Sequence, residues 1–138
     1  MSLEDNKAMI REYFAALDAN RRDDVAAMFA DQLQLYFDGY PAMGKTDGFD
    51  FLCGFLDAFP GITHEVADQL AEGDRVATRI VIRGTNSAPM MGMPATGKSV
   101  TFGAINIARL ADGKISELRV NADSVGMMQQ LGLAPAPA

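Results

Sequence analysis

Four long β-patterned runs fill the second half of this chain: Ile62 to Glu72, Arg75 to Asn86, Ser99 to Ala111 and Lys114 to Asp123. Two of the breaks between them are the pairs Gly73-Asp74 and Asp112-Gly113, and the third is the Pro/Met/Gly loop from Ser87 to Gly97. Breaks of two residues with these side chains make tight hairpins, so successive strands must lie side by side and antiparallel. Whatever precedes Ile62 has to pack against that sheet. Val76 to Ile82 and Phe102 to Leu110 are apolar at both parities, whereas a sheet with one wet face should alternate. The second face therefore calls for a cover, and a second copy of the chain is the expected one, giving a homodimer.

The first sixty residues read as helices around one short strand. Ser2 with Asp5 three residues on resembles a capping box, and Ile10, Tyr13, Phe14 and Leu17 follow at helical spacing. The polar stretch Asp18 to Arg22 ends that pattern. Asp23-Asp24 open a second helix with Val25, Met28 and Phe29 on its inner stripe, acidic residues being favoured at a helix start. Leu33, Leu35 and Phe37 alternate with Gln34, Tyr36 and Asp38 as a strand does. Past the turn-rich Gly39 to Gly44, Thr46 is the expected N-cap of a third helix with Phe49, Leu52, Cys53, Leu56 and Phe59 on one face, stopped by Pro60-Gly61. Helices followed by a meander predict an α+β fold, with N-terminal helices packed in a strongly curved, mostly antiparallel sheet that forms a cone-shaped barrel. Such a cone encloses a cavity, with the Ser87 to Gly97 loop at its mouth. Residues 1–133 read as one domain and the Ala/Pro-rich residues 134–138 as a disordered tail.

Charge and composition narrow the function classes. At 138 residues, 49% of them hydrophobic, the chain can bury a core of its own. A net charge of −6 with no Lys/Arg cluster argues against a nucleic-acid partner. No apolar run is long enough to cross a membrane, and the start has neither basic patch nor apolar signal core, so the cytoplasm is the expected location. The single cysteine, Cys53, offers no disulfide and no metal-ligand spacing. Gly92 to Ser99 satisfies the pattern of a phosphate-binding loop. That loop needs a strand before it and a helix after it, whereas here Pro94 lies within and Val100, Phe102 and Ile105 continue as strand, so a turn is the reading adopted.

Few side chains are left to carry chemistry. Cys53, on an apolar helix stripe, reads as core. Met90, Met91, Met93, Met127 and Met128 read equally as packing or as an adaptable wall for a flat apolar ligand. His64, the one histidine, is either a structural hydrogen-bonding residue or the natural proton partner of a carboxylate. Asp123 closes the last strand, in which Ile115, Glu117, Arg119 and Asn121 share a face if the strand is regular. Two readings of Asp123 stand side by side. It caps a following helical turn, or it points into an apolar cavity where desolvation raises its pKa.

Several blocks together resemble one family. Phe59-Pro60-Gly61-Ile62-Thr63-His64, Ala71 to Ala77, Arg83-Gly84-Thr85-Asn86, Gly92 to Lys98, and Gly113 to Glu117 through Asp123, closing with Gln129-Gln130-Leu131-Gly132, are similar in order and spacing to the SnoaL-like polyketide cyclases. The resemblance implies a nuclear transport factor 2-like fold, usually oligomeric, and a cofactor-independent aldol-type ring closure with Asp123 as general acid/base and a small apolar or polyketide-like substrate. It also implies His64 and Asn86 as polar partners and Arg119 beside the substrate, with Tyr36, Phe102, Met90 and Met127 completing the binding set. Neither metal nor nucleotide is implied. An isomerase, an epoxide hydrolase or a noncatalytic ligand-binding domain on the same fold are the alternatives. Relatives often carry His where this chain has Asn86 and Phe37, and Trp where it has Arg119, and those positions are expected to face the pocket. Arg119 would then either pair with Asp123 and lower its pKa or hold an anionic substrate.

Overall fold

The protein's structure, a computed structural model, describes residues 2–135. Of the disordered tail expected over residues 134–138, residues 136–138 lie outside the described residues. Helix α1 (Leu3–Asp18) starts in a reciprocal box, with the Asp5 amide donating to Ser2 Oγ at 3.0 Å and the Ser2 amide to Asp5 Oδ2 at 3.1 Å. It buries Ile10, Tyr13, Phe14 and Leu17, the stripe its spacing demands. Helix α2 (Arg22–Met28) buries Val25 and hands over at once to strand β1 (Phe29–Phe37), in which Leu33 and Leu35 face the core.

Helix α3 (Lys45–Ala58) is capped by Gly44, not Thr46. Met43 exchanges both backbone hydrogen bonds with Leu35, which fixes the chain up to that residue and starts the helix directly after it. Gly48 lets α3 lie close on β1, since a Cβ there would come within 3.1 Å of the Leu35 side chain. Strands β2 (Thr63–Glu72), β3 (Arg75–Thr85), β4 (Ser99–Ala111) and β5 (Lys114–Ala122) follow, and a short helix α4 (Ser124–Gln130) ends the order. The segment Gly92 to Ser99 runs into β4, a strand, so the formal phosphate-loop match has no helix behind it. Among the described residues no helix is long and apolar enough to cross a membrane.

The sheet order is β1-β5-β4-β3-β2. Only β1 and β5 pair in parallel, the other neighbours being antiparallel. The fold is the expected α+β arrangement of helices in a curved, mostly antiparallel sheet. The cone is open rather than a closed barrel, with β1 and β2 as its two edges.

A bulge in β5 decides what faces the cone. Leu110 pairs with Ile115 but Arg109 pairs with Glu117, so Ser116 is an extra residue and the parity switches there. Ile115 is buried, and beyond the bulge Leu118 is buried too, while Arg119 and Asn121 are exposed. A regular strand would have kept Ile115, Glu117, Arg119 and Asn121 on one face. The bulge instead turns Leu118, Val120 and Ala122 inward and the acid, the arginine and the asparagine outward.

The runs that read as apolar at both parities divide cleanly. In β4 every second residue from Val100 to Leu110 is buried. The outer face of the sheet carries Ile105 and Ile107, exposed by 50% and 39%, with Leu70 on β2 exposed by 70%.

Candidate active site

Between α1, α3, α4 and the inner face of the sheet lies a cavity walled by Phe14, Phe37, Phe55, Ile80, Phe102 and Val120, among others. It leaves about 70 Å³ for the centres of water-sized molecules, room for about five to seven such molecules or a small ring system. Tyr13 also lines it, and burial pushes its phenol above the ordinary value of 10.0, so it stays protonated at neutral pH. The remaining polar lining residues are His64, Asn106 and Ser124.

His64, the second residue of β2, is held by the last residue of α1. The Asp18 carboxylate accepts the His64 backbone amide at 3.0 and 2.9 Å and takes the ring at Nδ1, 2.6 Å from Oδ1. Phe14 stacks on the imidazole, with 5.7 Å between ring centroids and 27° between planes. The two ring contacts, with Asp18 and Phe14, thus fix one ring orientation. A carboxylate only accepts, so a neutral ring here has its proton on Nδ1 and its lone pair on Nε2, the tautomer of a general base.

Of the other residues expected at the site, Phe102 and Met127 line the cavity, and so does Phe37. Asp123 does not. It is exposed, and its Oδ1 accepts the Gly126 amide at 2.9 Å as N-cap of α4. A Cβ at Gly126 would lie 2.2 Å from Asp123 Oδ2, so the glycine is what lets the carboxylate sit over the helix end. Arg119 lies outside the cone because of the bulge in β5. Its guanidinium carbon sits 3.9 Å above the Tyr36 ring, and Nη2 donates to Glu117 Oε1 at 3.2 Å. It therefore neither pairs with Asp123 nor faces the cavity, and Tyr36 lies outside with it, opposite Arg119 in the register.

Asn86 is buried at 1% exposure, yet it serves the backbone rather than the pocket. Its Nδ2 donates to the carbonyls of Ala58 and Ala88 at 3.2 and 2.8 Å, and its Oδ1 accepts the Thr96 amide and hydroxyl at 2.9 and 3.0 Å. Those four bonds pin the Ser87 to Gly97 loop to the end of α3. Met90 is buried beside a separate hollow that it shares with Phe51, Phe55 and Met91. Met90 and Met127 thus face different spaces, and Phe55 lines both. Cys53 is half-buried, and burial raises its thiol above the ordinary value. Among the described residues no three His, Cys, Asp or Glu side chains are grouped so as to hold a metal ion.

Two site residues escaped the sequence reading. Asp18 looked like the polar end of a helix, and its partner lies 46 positions away. Asn106 had a usable signal, as the polar member of the inward series Phe102, Ala104, Asn106, Ala108, Leu110.

Helices seated in an open, curved sheet around an apolar pocket define a nuclear transport factor 2-like fold. Crystal structures that share this architecture include two from Streptomyces. AclR from Streptomyces galilaeus, provisionally assigned as a hydroxylase, superposes with a TM-score of 0.90 at 27% identity, covering 99% of this chain and 87% of that one. IdmH from Streptomyces antibioticus, provisionally assigned as a polyketide cyclase, gives 0.81 at 28% identity, over 92% of this chain and 98% of its own. Residues 7–131 match the SnoaL-like polyketide cyclases, and the chain belongs to that family. The aklanonic acid methyl ester cyclase DnrD of Streptomyces peucetius is 28% identical over 130 residues, 90% of this chain and 88% of DnrD.

Proposed function

We propose that the chain is a cofactor-independent enzyme that closes a ring in a small apolar substrate by intramolecular aldol chemistry, with His64 as the proton carrier and Asp18 as the residue that positions it. The observation that carries this reading is the Asp18–His64 pair at 2.6 Å on the wall of an apolar cavity. His64 Nε2 takes a proton from the carbon beside a substrate carbonyl, and the electron pair of that C–H bond becomes the enolate. The enolate carbon then attacks a second carbonyl of the same molecule, forming the new C–C bond. The resulting alkoxide recovers the proton from the imidazolium, so the sequence balances with nothing consumed. Asp18 stabilises the imidazolium while it exists, and the apolar walls keep water from the enolate.

Asp123 is the second candidate for the acid/base, because both its neighbours, Ala122 and Ser124, line the cavity. Swinging its carboxylate inward would cost the cap on α4. The two are separated by hydrogen–deuterium exchange at the α-carbon of α-tetralone, a small aryl ketone, followed by NMR. His64→Gln is expected to slow the enzyme-dependent exchange by about 100-fold, the usual worth of a positioned base, and Asp123→Asn to leave it within about threefold. The reverse pattern would return the role to Asp123. Binding of the ketone without accelerated exchange in the wild type would favour a noncatalytic ligand-binding domain.

The same reading includes a homodimer in which a second copy covers Ile105, Ile107 and Leu70, an apolar outer patch suited to isologous packing. Sedimentation equilibrium should give twice the chain mass, and Ile107→Glu should give the single-chain mass. A wild type that sediments as one chain at tens of micromolar would remove this part of the proposal.

A further inference from the structure

One polar atom of a residue on the cavity wall has no hydrogen-bond partner among the described residues. Asn106 is 3% exposed, and its Oδ1 is shielded from solvent without a hydrogen-bond partner among the described residues. It lines the cavity from the middle of β4. Its cross-strand neighbours are Thr78 on β3 and Val120 on β5. Valine has no donor, and the Thr78 hydroxyl, which accepts from Gln69 Nε2 at 3.3 Å, makes no hydrogen bond to Oδ1. Along the strand the same face carries Ala104 and Ala108, side chains too short to cover the amide. A buried acceptor left unpaired destabilises a fold, and a leucine of similar size would fill the same wall without that penalty. What such a residue is matched to is a ligand that brings the missing donor.

We propose that Asn106 is a specificity-determining residue, the polar anchor that selects ring compounds bearing a hydroxyl or enol over equally shaped hydrocarbons. This rests on the reading of the cavity as the substrate site. With the amide turned about χ2 so that Oδ1 meets the cavity, the substrate hydroxyl donates to Oδ1 and the Nδ2 group beside it suits a neighbouring carbonyl, so an enol or hydroxyl next to a carbonyl matches the amide on both sides. The apolar remainder of the ring lies against Phe14, Ile80 and Phe102. A substrate anchored at Asn106 has its orientation fixed by one wall while His64 works from another.

Phenol and toluene, which differ in shape by little more than OH for CH₃, are the probes. Their dissociation constants are measured by NMR titration of the full chain in wild type, Asn106→Leu and Asn106→Ala. The wild type should favour phenol, and both substitutions should shift the phenol-to-toluene preference towards toluene by about tenfold, the worth of one buried hydrogen bond. Asn106→Leu should also melt about 3 °C higher than wild type when free of ligand, since it removes the unpaired group. A preference that stays within twofold of wild type in both variants would overturn the anchor while leaving the cavity reading intact. A leucine variant that melts lower than wild type would also count against it, because the amide would then be satisfied within the free protein. If the wild type binds neither probe at millimolar concentration, the cavity reading falls and the anchor with it.

Discussion

Asn86 and Asn106 are the same side chain at nearly the same depth, 1% and 3% exposed, and they do opposite things. Asn86 has its donors committed to the carbonyls of Ala58, at the end of α3, and Ala88, and its acceptor to Thr96, in the loop that follows β3. Asn106, on β4, has an acceptor committed to nothing. Burial alone therefore does not separate a structural polar residue from one waiting for a ligand; the pairing of its atoms does. Asp123 falls on the side of Asn86, since its carboxylate holds the first turn of α4. His64 falls on the side of Asn106, since it lines the cavity with one ring nitrogen engaged by Asp18 and no hydrogen bond to the other among the described residues.

That division breaks if Asn86 can be removed cheaply. Asn86→Leu strips four hydrogen bonds and leaves the Ala58 and Ala88 carbonyls and the Thr96 amide without this partner. It should cost about 3–4 kcal/mol and lower the melting temperature by about 10 °C, the opposite sign to Asn106→Leu. Calorimetry on the two variants side by side checks both. A smaller effect sharpens the position of Asp123. Asp123→Ala should lose about 1 kcal/mol, the usual worth of an N-cap, whereas Asp123→Asn, whose amide oxygen can still accept from Gly126, should melt within about 1 °C of wild type. Equal melting of the alanine and asparagine variants would mean that the cap holds nothing.

Much of the fold was legible because turn chemistry is local. Gly73-Asp74 and Asp112-Gly113 mark hairpins whose strands run to within a residue or two of the expected ends, and Ser2 with Asp5 marks the start of α1 as read. The parity of β5 was not legible. A bulge adds one ordinary-looking residue, here Ser116, and nothing in Ile115-Ser116-Glu117 distinguishes it from regular strand, yet it moves Arg119 and Asp123 to the outer face. The cap on α3 was misread because Thr46 is the better capping side chain, while the start of that helix is set by a bridge from Met43 to Leu35. In the site, His64 could be singled out as the one histidine, but its partner Asp18 is joined to it only by the packing of α1 across β2.

The parallel pairing of β1 with β5 has a kinetic consequence. Leu35 pairs with Leu118, so the first strand of the sheet gains its strand neighbour only when the last one is in place, while β2 with β3 and β4 with β5 zip through two-residue turns. Closing so long a loop is entropically expensive and belongs to the late, slow part of folding. Val120 and Ala122 of β5 are part of the cavity wall, so the pocket exists only after that closure. A ligand in it should therefore slow unfolding and leave the folding rate almost untouched.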